Sequence, residues 1–292
     1  MHRVQRLVRS FPSLNLKLEV DTCQRRADLV LPGLRYDDMD ITGRPDVLRV
    51  YKMMTRVELA AFYNEIPYLD MNELNNKNIA TVTKASQIEM RREFYDKTVA
   101  KAPLAVNLRL VYVGDTSFVT LTDFSCGGRM KPSVKVTNVH SFTDSHTNKV
   151  IPVPDWWRAK FDYDLQDHPP IIDPLSVSLN ARTRSCLFTV PHSDTNAEGR
   201  TRCAAYMKYF LDAASIAAHQ GFFDSITNSA DIQNQPIRRI SMLYTAASQW
   251  GDTLTTKIWE DVVKEEILCN VSRDEELLWA ASLKYHKKET EI

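Results

Sequence analysis

The chain has 292 residues, room for two units of about 130 residues each rather than one average domain. Lys plus Arg and Asp plus Glu both number 37, and the resulting zero net charge excludes a broad basic surface for nucleic acid. No apolar run nears the ~20 residues that span a bilayer, and the five cysteines are scattered without CxxC spacing, which excludes a zinc site or a disulfide framework. A soluble protein of a reducing compartment is expected, not secreted and without metal or other cofactor.

Taken from the N-terminus, residues 1–26 read as a basic extension, with Arg3, Arg6, Arg9 and Lys17 and no acid before Glu19. An Arg-rich, acid-poor start fits a mitochondrial presequence. It fits an ordinary basic terminus as well, so cytoplasmic and mitochondrial locations both stand. A first structured unit is expected over 27–151. Leu29, Leu31, Leu34 and Tyr36 mark a short strand, followed by Asp38-Met39-Asp40-Ile41-Thr42-Gly43-Arg44. Pro45 suits a helix start, and Val47, Val50, Tyr51, Met54, Val57 and Ala61 then share one helical face. Strand signals occupy 79–90, 104–113, 117–124 and 133–142.

Residues 152–183 read as an irregular linker, because Pro152, Pro154, Pro169, Pro170 and Pro174 crowd it. Trp156 and Trp157 are expected to anchor it. A second unit over 184–292 repeats the first. A strand-like run from Cys186 to Val190 precedes Asp194-Thr195-Asn196-Ala197-Glu198-Gly199-Arg200, which matches the earlier string 156 positions on (194 − 38). Residues 203–220 are Ala-rich and nearly all apolar, as for a helix buried on most sides, with Gly221 as its C-cap. Strands follow at 238–246, 253–260, 266–271 and 276–285. A second recurring string, Gly114-Asp115-Thr116 and Gly251-Asp252-Thr253, reads as turn residues between strands. Strand, helix and four strands, twice over, give an α+β fold of two tandem units.

A strand, Asp-x-Asp-x-x-Gly, a long buried helix and an antiparallel sheet resemble the hotdog thioesterases. Two such units in one chain most resemble the acyl-ACP thioesterase family and its double-hotdog relatives, including those like 4-hydroxybenzoyl-CoA thioesterase. The resemblance covers about residues 27–165 and 184–287. It implies a long central helix wrapped by an antiparallel sheet in each unit, and hydrolysis of acyl-CoA or acyl-ACP to acid and thiol. Asp194, Asn196, Gly199, Arg200 and Tyr206 sit at family positions in the second copy, and Asp38, Asp40, Gly43 and Arg44 in the first. There are departures. The family's Gly-His is Gly-Arg in both copies, and Val50 replaces an aromatic residue. Glu198 stands where the plant acyl-ACP enzymes have His, and their Glu-Cys pair would fall near Ala247 and Ser248. No His has Asp five residues before it, against a hotdog dehydratase.

Thioester hydrolysis needs a group that activates water and donors for the developing oxyanion. Asp40 can be a base; Asn196 can only orient a water or a carbonyl. The expected catalytic set is Asp40, Asp194 and Asn196, with helix capping as the plain alternative for each. Glu58 reads as a solvated helix charge, and Asp212 as a secondary candidate within an apolar helix. Arg44 and Arg200 are expected either to pair with Asp38 and Asp194 or to bind the phosphate of coenzyme A or a phosphopantetheine arm. A non-catalytic acyl-thioester binding protein is the alternative function, and a scaffolding protein a third. The expected partners are acyl-CoA or an acyl carrier protein, with a homo-oligomer left open.

Overall fold

The computed structural model describes residues 6–11, 16–21, 25–63, 67–129, 131–170, 172, 182–224, 232 and 235–287. The chain divides into two compact units, Met1–Asp38 with Lys52–Ile172 and Met39–Tyr51 with Asp173–Ile292. The segment 39–51 therefore groups with the second unit, a crossover that the sequence pattern does not signal.

The first unit holds β1 (Arg6–Phe11), β2 (Leu16–Asp21), β3 (Arg26–Leu31), most of α1 (Val47–Phe62), α2 (Met71–Asn76), β4 (Ile79–Met90), β5 (Leu104–Val113), β6 (Ser117–Cys126), β7 (Val134–Asp144) and α3 (Asp155–Phe161). Its strands pair antiparallel in the order β1-β2-β3-β5-β6-β7-β4. The second unit holds β8 (Thr183–Thr189), α4 (Cys203–His219), β9 (Ile237–Tyr244), β10 (Thr253–Asp261), β11 (Glu266–Arg273) and β12 (Glu276–Tyr285). These run antiparallel in the order β8-β10-β11-β12-β9. That order is the order β3-β5-β6-β7-β4 of the first unit, so the repeat is a repeat of topology.

The helices follow their sequence patterns. All six expected face residues of α1, from Val47 to Ala61, are buried. Asp46 caps this helix, its Oδ1 accepting from Arg49 N at 2.9 Å. On α4, Tyr206 stacks on Trp279 of β12 at 6.1 Å and Tyr209 on Phe188 of β8 at 5.2 Å, so the helix covers its sheet from one side to the other. Each fully buried large apolar side chain contributes about 1.5–3 kcal/mol. The helix stops at Gly221, whose φ of 64° lets Phe222 N donate back to Ala217 O at 3.0 Å.

Three expectations change. The expected extension 1–26 holds two strands, Arg6–Phe11 and Leu16–Asp21. β1 and β2 extend the sheet beyond β3, and Leu18 and Val20 are buried. The alternation Leu16, Leu18, Val20 is a strand pattern that the basic composition of the terminus obscures. The linker is not irregular throughout. Pro154, with φ −60°, opens α3, and Trp157 of that helix is fully buried against Phe118, Phe142 and Phe161 while its Nε1 donates to Leu69 O at 2.9 Å. Residues 171 and 173–181 of the expected linker lie outside the described residues. The string Gly-Asp-Thr is not part of the repeat. Gly114 turns between β5 and β6, whereas Gly251 precedes β10, and the counterpart of the β5–β6 turn is the β10–β11 turn. Among the described residues no helix is long and apolar enough to cross a membrane.

Candidate functional site

The two matched strings fold into the same loop. In the first, Asp40 Oδ1 accepts from Thr42 N (2.8 Å), Thr42 Oγ1 (2.7 Å) and Arg44 N (2.9 Å). In the second, Asn196 Oδ1 accepts from Glu198 N and Arg200 N, both at 3.0 Å. The backbone closes each loop alike, with Asp40 N donating to Arg44 O at 2.7 Å and Asn196 N to Arg200 O at 2.8 Å. Gly43 and Gly199 take φ of 76° and 75°, which only glycine adopts without strain. Asx side chains are suited to this local bonding. Neither is a helix cap. Asp46 caps α1, and Arg202 precedes α4 with no side-chain cap.

The other expected residues diverge between the copies. Asp38 Oδ2 accepts from Arg35 N at 2.8 Å, holding a turn. Asp194 Oδ2 accepts from Tyr209 Oη at 2.9 Å and pairs with Lys208 at 3.3 Å. Burial first, and then the Asp194 carboxylate, push the Tyr209 hydroxyl up. Arg200 pairs with Glu198 at 3.5 Å. Arg44 is half-buried, and its backbone N–H and C=O both close the Asp40 loop. Asp212 is half-buried on α4.

The loop after Asn196 meets the segment around Ser248. Arg200 bridges to Gln249, and Thr201 N donates to Ser248 O at 2.9 Å. Ser248 is fully buried, with Oγ 2.6 Å from Thr201 Oγ1 and 2.8 Å from Tyr206 Oη, while Ser248 N donates to Tyr206 Oη at 2.7 Å. Hydroxyls thus bond to hydroxyls where the resemblance places a Glu-Cys pair.

A second polar cluster lies in the first unit. Glu58 sits on the buried face of α1, four positions after Met54 and three before Ala61. Its Oε1 accepts from Thr120 Oγ1 of β6 at 2.8 Å and from His140 Nε2 of β7 at 3.1 Å, and its Oε2 from Asn138 Nδ2 at 3.0 Å. Ser86 Oγ donates to Asn138 Oδ1 at 2.6 Å, and His140 Nδ1 lies 3.3 Å from Thr83 Oγ1. Phe118 stacks on the imidazole at 4.9 Å and Phe62 meets it edge-on at 5.8 Å. Burial pushes the Glu58 carboxyl up, but the His140 ring and the three hydrogen bonds outweigh it and hold the group below its ordinary value. The sequence reads Glu58 as a solvated helix charge, and the structure buries it. Its place among the apolar positions 54, 57 and 61 was the signal that it is buried. Among the described residues, no three His, Cys, Asp or Glu side chains gather as metal ligands.

No family model and no curated protein matches the sequence. Solved structures match nearly all of it. An acyl-ACP thioesterase from Bacteroides thetaiotaomicron VPI-5482 is 16% identical, with a TM-score of 0.66 over 91% of this chain and 100% of that one. The 12:0-ACP thioesterase from Umbellularia californica is 10% identical, with a TM-score of 0.68 over 90% of this chain and 98% of that one. The chain has the α+β double-hotdog fold of these thioesterases.

Proposed function

We propose that the protein is an acyl thioesterase that hydrolyses acyl-CoA or acyl-ACP to free acid and thiol, with Asp40 as its base. The observation that carries this reading is the Asp40 loop. Three donors fix Oδ1, and the matching loop does the same work with a neutral Asn196. The loop geometry therefore does not require a charge, and the first copy keeps one. A carboxylate fixed through one oxygen presents the other in a set direction, as a general base must. Oδ2 takes a proton from water as the water oxygen adds to the thioester carbonyl, and the C–S bond then breaks as Oδ2 returns that proton to the departing sulfur, releasing acid and thiol and restoring the carboxylate. Asn196 and Asp194 orient the carbonyl or the water, and Arg44 and Arg200 meet the phosphates of the CoA or phosphopantetheine arm.

The buried hydroxyls of Thr201, Tyr206 and Ser248 favour a second reading, an acyl-thioester binding protein without turnover. A thiol-release assay on acyl-CoAs of graded chain length, run beside calorimetric titration, separates the two. Release above the uncatalysed rate is the expected result. Saturable binding with no released thiol replaces the enzyme with the binder.

A further inference from the structure

The Glu58 cluster has the connectivity of a hydrolytic relay. Glu58 Oε1 accepts from His140 Nε2 at 3.1 Å, and the other ring nitrogen, Nδ1, faces Thr83 Oγ1 at 3.3 Å. A carboxylate is acceptor-only, so the Nε2–H of His140 points at Glu58, and the tautomer that bond selects turns Nδ1 toward the Thr83 hydroxyl as an acceptor. Carboxylate, imidazole and hydroxyl in this sequence are recognised by geometry and role, whatever the fold. Thr120 and Asn138 hold the carboxylate, and the Phe118 and Phe62 rings hold the imidazole. Glu58 and His140 are buried, whereas Thr83 is only half-buried. Thr83 is thus the member of the relay nearest solvent.

Two further observations set this cluster apart from ordinary core packing. The position equivalent to Glu58 in the second unit, at the offset of 156 between the matched strings (58 + 156), is Ala214, fully buried. The fold therefore needs no charge there, and burying an ion costs several kcal/mol before its partners offset it. The β4–β7 register also shifts between Thr83 and Ala85, so a bulge follows directly on the hydroxyl that faces His140. Bulges of this kind re-aim side chains beside active sites.

We propose that Thr83, His140 and Glu58 form a second acyl-transfer centre, with Thr83 as nucleophile, His140 as base and Glu58 as the residue that positions His140. The proposal goes beyond the Asp40 reading and rests on it only for the substrate class, an acyl thioester or ester. Thr83 Oγ1 passes its proton to His140 Nδ1 as it bonds to the acyl carbon. The C–S or C–O bond breaks and the leaving group takes that proton. Water, deprotonated by the same nitrogen, then releases the acid and restores Thr83.

An alkyl fluorophosphonate tests this without acyl turnover, because attack by an activated hydroxyl expels fluoride and leaves a stable phosphonyl ester. The full chain is incubated with the probe, and the modified residue is read by peptide mass spectrometry. The expected result is one adduct on Thr83, retained in Thr83→Ser and lost in Thr83→Val, which keeps the β-branched shape. Glu58→Gln should slow labelling by about 10²-fold or more under conditions where circular dichroism shows the variant folded. A cross-strand Thr–His pair with a purely structural role would leave Thr83 unlabelled in wild type. That outcome, or equal labelling in Thr83→Val, overturns the proposal and leaves the thiol-release assay to judge the Asp40 reading.

Discussion

Helices α1 and α4 occupy matching places in two units of the same strand order, yet they bury different chemistry. On α1 the third turn buries Glu58 among donors from β6 and β7. On α4 the matching residue is Ala214, flanked by the equally buried Ala213 and Ala217. The loops before the helices differ in the same sense, Asp40 in one and Asn196 in the other. The second copy shows what the scaffold alone requires: an Asx acceptor, a glycine with positive φ and an apolar helix face. What the first copy adds, two carboxylates and an imidazole, is beyond that requirement. Tandem duplication lets one copy keep the architecture while the other carries the charges.

The largest expected effect comes from the feature found in the first copy only. Deleting residues 1–21 removes β1 and β2, together with the buried Leu18 and Val20, and uncovers β3. The melting temperature should fall by several degrees or more, whereas an unchanged value would show that the sheet ends at β3 as it does at β8. Next comes the buried pair. Glu58→Ala leaves His140, Asn138 and Thr120 without their acceptor and should cost about 3–5 kcal/mol, measured by urea unfolding. A cost below about 1 kcal/mol would mean that the first helix tolerates alanine as the second does.

Acid sharpens the same contrast. The Glu58 carboxyl is held below its ordinary 4.5 in the folded chain. Its stabilising contribution is therefore complete above that value and is lost as pH falls through the lower, folded one. Melting curves of wild type and Glu58→Gln should converge as pH drops below about 4.5, and parallel curves down to the acid limit would contradict the shift. In the second unit, Tyr206→Phe strips the acceptor from Ser248 N, a buried donor. The expected loss is about 1–3 kcal/mol, and a silent change would show that the hydroxyl cluster is not a lock.

Much of this architecture was legible because it is local. The apolar faces of α1 and α4 have helical spacing, the strands alternate or run apolar, and the two Asx strings match at a fixed offset. Long-range features were not. Nothing near Glu58 in sequence announces His140, which β7 delivers 82 positions later. The hydroxyls of Thr201, Tyr206 and Ser248 likewise meet only when the chain folds back after β9. Composition misled twice. The basic composition of the N-terminus concealed the alternation in β2, and prolines concealed α3, which Pro154 opens. Gly-Asp-Thr recurred because strands commonly end in such turns, and only strand order shows that the two are not equivalent.

The two Asx loops are alike in structure and differ in the charge they can carry. Asp40→Asn gives the first loop the side chain of the second, and Asn196→Asp does the reverse. Each swap keeps a good local acceptor, so stability should move by roughly 1 kcal/mol or less. Initial rates of thiol release from acyl-CoA test the claim directly. Thiol release should fall by about 10²-fold or more in Asp40→Asn, the usual scale for losing a general base, with acyl-CoA binding retained and Asn196→Asp near wild type. Full turnover in Asp40→Asn would contradict it, and would reduce Asp40 to the loop-holding role that Asn196 already fills.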